Sequence, residues 1–106
     1  MAFAIMVVEL RHGPKTIEKK DELKQRGFCW IPGLAGKGWV KEAETLEEAK
    51  DIIRGLHEMG FGAGFGVVIK GTFYDHRMAR DLKGIDIAEE AREIYRFINE
   101  LTLGRR

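Results

Sequence analysis

The chain has 106 residues, of which 44% are hydrophobic and 33% are charged, and its formal net charge is +1. This length and composition are typical of one soluble globular domain. The single cysteine, Cys29, excludes an internal disulfide framework, and the absence of serine excludes every enzyme with a serine nucleophile.

The same features predict where the protein is found. No apolar stretch reaches the length of a membrane helix, so we expect no membrane partner. A lone cysteine suits a reducing compartment, which predicts a cytoplasmic protein. The high content of Lys, Arg and Glu resembles the composition of thermophile proteins.

Hydrophobic periodicity and turn residues predict the secondary structure. The second helix has the clearest signals, because Thr45 and Glu48 form a capping box and Gly60 follows its last residue. The last helix carries a narrow apolar seam that includes Ile94 and Ile98. In chain order, the predicted elements are a strand over 3–11, a helix over 17–26, strands over 28–31 and 39–43, a helix over 46–59, a connector over 61–66, a strand over 67–73, a basic irregular or short helical stretch over 74–84, and a helix over 85–103.

The first six elements follow the β-α-β-β-α-β order of ferredoxin-like domains, which belong to the α+β class. We therefore predict a single domain, with a ferredoxin-like sandwich over 1–83 and an additional C-terminal helix and tail over 84–106. In that topology both helices cover one face of the sheet and leave the other face open. We expect the last helix, through Ile94 and Ile98, or a second copy of the chain to cover that open face.

The polar residues form no recognisable catalytic or metal-binding motif. The glycines of residues 60–66 lack the G-x-G-x-x-G spacing and follow a helix, so we interpret this stretch as a connector. The three histidines have no metal-ligand spacing. Asp75 and His76 could form an acid–base pair, although a polar loop is favoured. We predict no catalytic residue, no metal and no cofactor.

Positive charge and large aromatic side chains occur together in the first third of the chain. Residues 11–41 contain eight Lys or Arg and three Asp or Glu, whereas residues 42–60 contain two basic and six acidic residues. Aromatic rings beside surface lysines suit single-stranded nucleic acid, because bases stack on the rings and lysines contact phosphates. The predicted binding residues are Lys20, Lys24, Phe28, Trp30, Lys37, Trp39 and Lys41. An exposed Trp39 would favour nucleic acid, and a buried Trp39 would favour a scaffold.

Residues 15–44 resemble a short module with the pattern L-K-x-x-G-[FY]-x-W, a turn, and K-x-W-[VYW]-K-E. That module is a small accessory domain of DNA-handling enzymes, including exonuclease and helicase-like proteins, so the resemblance implies a connection with nucleic acid. The chain departs from the pattern at Ile31-Pro32, where the module usually has Asp or Asn, and in its longer, uncharged turn. The matching positions are Leu23, Lys24, Gly27, Phe28, Trp30, Lys37, Trp39, Lys41 and Glu42.

A second segment, residues 43–71, is similar to part of a tRNA wybutosine-synthesis methyltransferase family. It lacks the cysteine–serine–glycine motif of that family, so we do not expect methyltransferase activity.

The sequence therefore favours a small, non-catalytic module that binds nucleic acid through a basic aromatic hairpin. The alternative is a structural or protein-interaction domain that forms a homodimer through a sheet edge or the last helix. An enzyme acting on a small molecule comes third, with Asp75 and His76 as its candidate residues.

Overall fold

A computed structural model describes residues 2–31 and 38–103 of the chain. The described part has the α+β class that the sequence predicts. None of its helices has the length and apolar character required to cross a bilayer. The elements are β1 Phe3–Val8, a 3₁₀ turn Thr16–Lys19, α1 Lys20–Gln25, β2 Cys29–Ile31, β3 Gly38–Ala43, α2 Leu46–Met59, β4 Gly62–Ile69, β5 Thr72–Asp75, α3 His76–Lys83 and α4 Ala88–Leu103.

The five strands form one sheet in the order β2-β3-β1-β4-β5, and every neighbouring pair is antiparallel. The prediction that the first strand is central is confirmed, because β1 lies between β3 and β4. Its central residues Ala4 and Ile5 are both fully buried although they point to opposite faces. An apolar run without alternation is what such a strand requires.

All four helices contribute to, or pack against, the larger of two apolar clusters. This core joins Ile5 of β1 to Ile53 of α2, Ile94 of α4 and Phe65 of β4. The smaller cluster, on the opposite face of the sheet, consists of Ala4, Val40 and Phe73 with partly buried neighbours. In the described residues, that second cluster contains only strand residues, so we call its surface the helix-free face.

The expectation that the last helix covers the open face is wrong. Ile94 is fully buried in the same core as α2, and Ile98 packs against that core. An ion pair also joins the two helices, since Lys50 Nζ lies 2.7 Å from Glu93 Oε2. The apolar seam of α4 therefore completes the helix layer on the face that α2 already covers.

The second helix has the predicted bounds and nearly the predicted cap. The Thr45 hydroxyl accepts from the Glu48 N–H at 3.1 Å, whereas the Glu48 carboxylate accepts from the N–H of Glu44 at 2.7 Å. A complete capping box would use the N–H of Thr45 itself. Gly60 ends the helix with a φ of 95°, a left-handed conformation that suits glycine.

The prediction for residues 61–73 is wrong in its boundaries. A tight turn at Lys70 and Gly71, with φ values of 51° and 79°, divides the predicted strand into β4 and β5. The glycine-rich stretch that we interpret as a connector belongs to β4 instead. Alternate residues of β4 are glycine, and the residues between them, including Phe65 and Val67, enter the core. Glycine lowers the strand propensity of this segment, but glycine and non-glycine residues still alternate with the period of two that a strand has.

Two helices, α3 and α4, occupy most of described residues 76–103. The stretch over 74–84 comprises the end of β5 and the eight-residue helix α3, and the final helix begins at Ala88, three residues later than predicted. Asp75 caps α3 by accepting from the Met78 N–H at 2.9 Å. Gly84 ends it with a φ of 69°.

Candidate nucleic-acid interface

The two tryptophans face each other across the β2–β3 hairpin. Trp30 and Trp39 are directly opposed in the strand register, and their rings meet edge to face with centroids 5.5 Å apart. Trp39 is 6% exposed and belongs to the core, which is the outcome that favours a scaffold at that position, whereas Trp30 is 45% exposed. The position of β2 at the edge of the sheet explains the difference, because a residue on an outermost strand has neighbours on one side only.

A groove of about 490 Å³ lies beside this pair. Ile17, which is 73% exposed, and the two indoles provide its apolar surface. Lys15 and Lys20 are exposed and provide positive charge. We call this the tryptophan groove; its complete lining in the described residues is Glu9, Lys15, Thr16, Ile17, Lys20, Trp30 and Trp39.

Glu9 and Thr16 hold the segment that faces the tryptophans. Glu9 Oε2 accepts from the backbone N–H of Thr16 at 2.8 Å and from its hydroxyl at 2.9 Å. Thr16 is only 5% exposed, so these bonds fix the start of the 3₁₀ turn to the chain just beyond β1. Hydrogen bonds to a carboxylate are stronger than those between neutral groups. The groove therefore has one wall on a sheet edge and the other on an anchored turn.

Of the predicted binding residues, the structure brings Lys20, Trp30 and Trp39 together in the tryptophan groove. Lys24 is exposed but does not line it. Phe28 precedes β2 and is 5% exposed in the core, so its ring is not available to a base. Lys37 lies outside the described residues.

Lys41 has a structural role that differs from the expected free surface lysine. Its Nζ donates to the backbone carbonyl of Arg26 at 2.6 Å, just past the last residue of α1. It is partly buried and lines a separate depression with Arg26 and Phe28. A lysine at a helix C-terminus satisfies an otherwise unpaired carbonyl, and Lys41 joins α1 to β3 in this way.

Sequence reasoning missed the wall opposite the tryptophans. Ile17 is the first residue of the helix that we predict over 17–26, and Lys15 and Thr16 precede that helix. One signal was present, because Ile17 is a large apolar residue in an otherwise polar stretch. The pairing of Glu9 with Thr16 has no local sequence signature, since it depends on how the chain returns past the end of β1.

The third possibility, an acid–base pair of Asp75 and His76, has no support in the geometry. The Asp75 carboxylate is used as the cap of α3, and the ring of His76 lies against that of Tyr95 with centroids 5.6 Å apart. Within residues 2–31 and 38–103, no group of three His, Cys, Asp or Glu side chains is arranged to hold a metal ion.

Comparison of the chain with protein-family models, curated proteins and solved structures found no match.

Proposed function

We propose that the first four strands and the helices α1 and α2 form a ferredoxin-like domain, to which the β5 hairpin strand, α3 and α4 are additions. The support is the strand order: without β5 it is β4-β1-β3-β2, with all neighbours antiparallel and α1 and α2 in the connections. This is the arrangement that two interleaved split βαβ units produce.

We propose that the protein is a non-catalytic module that binds single-stranded nucleic acid in the tryptophan groove. The observation that carries this proposal is the exposed indole of Trp30, which is braced by a buried tryptophan and faces two exposed lysines. A stacking platform needs a ring that is open to solvent yet held in place. Stacking of a base on such a ring contributes about 1–3 kcal/mol.

The roles within the groove differ from those expected from the sequence. Trp30, not Trp39, is the stacking residue, and Trp39 is the buried brace beneath it. The exposed ammonium groups of Lys15 and Lys20 attract the phosphates on either side of a stacked base. The carboxylate of Glu9 also lines the groove and keeps its negative charge, so the phosphates must lie on the side of Lys15 and Lys20.

The reducing, cytoplasmic compartment remains part of this proposal. Its support is Cys29, an exposed free thiol on β2. Free thiols persist where glutathione and thioredoxin keep cysteines reduced.

The test is a titration of a labelled single-stranded oligonucleotide, followed by fluorescence anisotropy at about 50 mM salt, where phosphate contacts are strong. Trp30→Ala should weaken binding by about 1–3 kcal/mol and leave the protein folded, although loss of the edge-to-face contact with Trp39 should cost about 0.5–1.5 kcal/mol of stability. Lys20→Gln should weaken binding and reduce its dependence on salt. Lys70→Gln is the matched control, because it removes the same charge from the distant β4–β5 turn.

Two results would contradict the proposal. One is the absence of binding to single-stranded DNA and RNA at this salt concentration. The other is equal binding by the wild type and Trp30→Ala, which would place any bound nucleic acid elsewhere on the protein.

The second candidate function is self-association as a homodimer, and the helix-free face favours it. Met6, Ile31 and Val68 are only partly buried there, around a buried cluster of strand residues. A second copy with the same apolar patch would cover it in a two-fold arrangement. Sedimentation velocity should then find a dimer that Val68→Asp converts to a folded monomer. A monomeric wild type at about 100 μM would exclude this candidate, since specific dimers generally bind more tightly than that.

A further inference from the structure

A second concave site lies between α3 and α4. We call it the α3–α4 cleft. Its volume is about 340 Å³, which falls within the range of small-molecule sites. It is separate from the tryptophan groove, because no residue lines both. The polar side chains that line it are His76, Arg77, Arg80, Arg92 and Tyr95.

The cleft concentrates positive charge. Three arginines line it, and no aspartate or glutamate does so among the residues that the structure describes. In that same part of the chain, Arg77 and Arg92 have no ion-pair partner. Arg80 donates through Nε to Asp81 at 3.0 Å, which leaves its two terminal nitrogens for another acceptor. Like charges gathered in one cleft repel, and a bound anion removes that repulsion.

Four carboxylates near the cleft are engaged locally, including Glu93, which pairs with Lys50. Asp75 accepts from the N–H of Met78, and Asp86 accepts from the N–H of Ala88 at 3.0 Å. Asp81 is paired with Arg80. In the described residues, neither Arg77 nor Arg92 forms an ion pair, although Glu89 and Glu90 lie within three residues of Arg92.

His76 also lines the cleft. Its Nδ1 is enclosed and has no hydrogen-bond partner among the residues that the structure describes. A buried polar atom without a partner destabilises a protein, and in native structures such an atom generally marks a functional position or a bound water or ion. The imidazole itself is held against the ring of Tyr95, so it is a fixed part of the wall.

Tyr95 adds a neutral donor. Its hydroxyl oxygen accepts from the backbone N–H of Phe65 at 3.1 Å, which attaches α4 to β4. A phenol can accept and donate at the same time. Phe65 uses the oxygen as an acceptor, so the hydroxyl proton remains available to another acceptor.

We propose that the α3–α4 cleft binds the phosphate group of a small phosphorylated molecule. The lining offers guanidinium and phenol donors and no carboxylate acceptor, so the ligand must supply several acceptor oxygens and negative charge. Guanidinium groups match the geometry of phosphate with paired, charge-assisted hydrogen bonds. This site is independent of the tryptophan groove and remains even if no nucleic acid binds there.

The experiment uses the full-length, ¹⁵N-labelled protein and follows its NMR spectrum, including the histidine ring nitrogens. The probes are inorganic phosphate, a nucleoside 5′-monophosphate and a dinucleoside monophosphate, which has only a bridging phosphate. Sodium chloride at the same ionic strength is the control. We expect phosphate and the nucleoside monophosphate to shift the signals of His76, Arg77 and Tyr95 until the site is saturated. Sodium chloride should leave these signals unchanged.

The matched variants lie one turn apart on α4. Arg92→Gln should weaken binding of both ligands at least about tenfold, the loss expected for a charge-assisted hydrogen bond. Arg92→Lys should retain part of the wild-type affinity, because lysine keeps the positive charge but lacks the planar guanidinium group. Arg96→Gln removes the same charge, but Arg96 does not line the cleft, so this variant should change binding by less than about twofold, through a screened charge alone.

Shifts of equal size with sodium chloride would overturn the proposal, as would equal losses in Arg92→Gln and Arg96→Gln, since both indicate a general response to ionic strength. Tighter binding of the nucleoside monophosphate than of the dinucleoside supports a terminal phosphate. The reverse order would overturn the small-molecule assignment and make the cleft a contact for a nucleic-acid backbone.

Discussion

Gly66 and Gly64 occupy the same face of β4, but only one of them should tolerate a side chain. A Cβ atom at Gly66 would fall against the carbonyl oxygen of Tyr74, and it would approach Asp75 Cα to 2.8 Å and Phe73 Cζ to 2.9 Å. Two of these obstacles are backbone atoms of the neighbouring strand, so neither can move without opening the β4–β5 pair. At Gly64 the nearest atom is the terminal methyl of Met6 at 3.3 Å, which a small rotation removes.

The magnitudes follow from these contacts. Overpacking a closely packed site costs about 1–3 kcal/mol and sometimes more. Gly66→Ala should reach the upper end, because the strand pair itself must separate. Gly64→Ala should stay within about 1 kcal/mol of the wild type, since the lower entropy of the unfolded chain offsets a small steric cost. We therefore expect the free energies of unfolding of the two variants to differ by about 2–3 kcal/mol.

Urea denaturation followed by tryptophan fluorescence and circular dichroism measures this difference. Both variants add one methyl group to the same strand face, so each controls for the other. Similar denaturation midpoints, with similar slopes, would refute the close approach of β5 to Gly66 and with it the reason that glycine is needed there.

Two other predictions concern α4. The hydrogen bond and positive charge of Lys50 lower the pKa of Glu93 below its ordinary value of 4.5. The pair therefore stabilises the fold above that pH and loses its contribution as the pH falls through the lowered pKa. In urea denaturation at several pH values, the difference between the wild type and Glu93→Gln should shrink below pH 4.5; a constant difference would mean that the pair does not form. Tyr95→Phe should destabilise the protein by about 1–3 kcal/mol, because it leaves the N–H of buried Phe65 unpaired. Hydrogen exchange at Phe65 should accelerate, and unchanged exchange and stability would contradict this hydrogen bond.

The sequence by itself determined the elements whose signals are local. The cap at Thr45, the glycine at Gly60 and the apolar stripe between them specify α2 to the residue. The uninterrupted apolar run of β1 predicted a central strand. These signals succeed because the hydrogen bonds and the periodicity that produce them involve residues within one or two turns of each other.

The tertiary structure decided which surfaces those elements share. The glycines of β4 have little strand preference, and they adopt a strand because neighbouring strands pair with them and close neighbours fill the space that a Cβ would need. The seam of α4 specified an apolar contact but not which face of the sheet provides it. Likewise, the sequence placed Trp30 and Trp39 in one hairpin, but only the position of β2 at the sheet edge exposes one ring and buries the other. Burial depends on what packs against a residue from distant parts of the chain, and no local pattern contains that information.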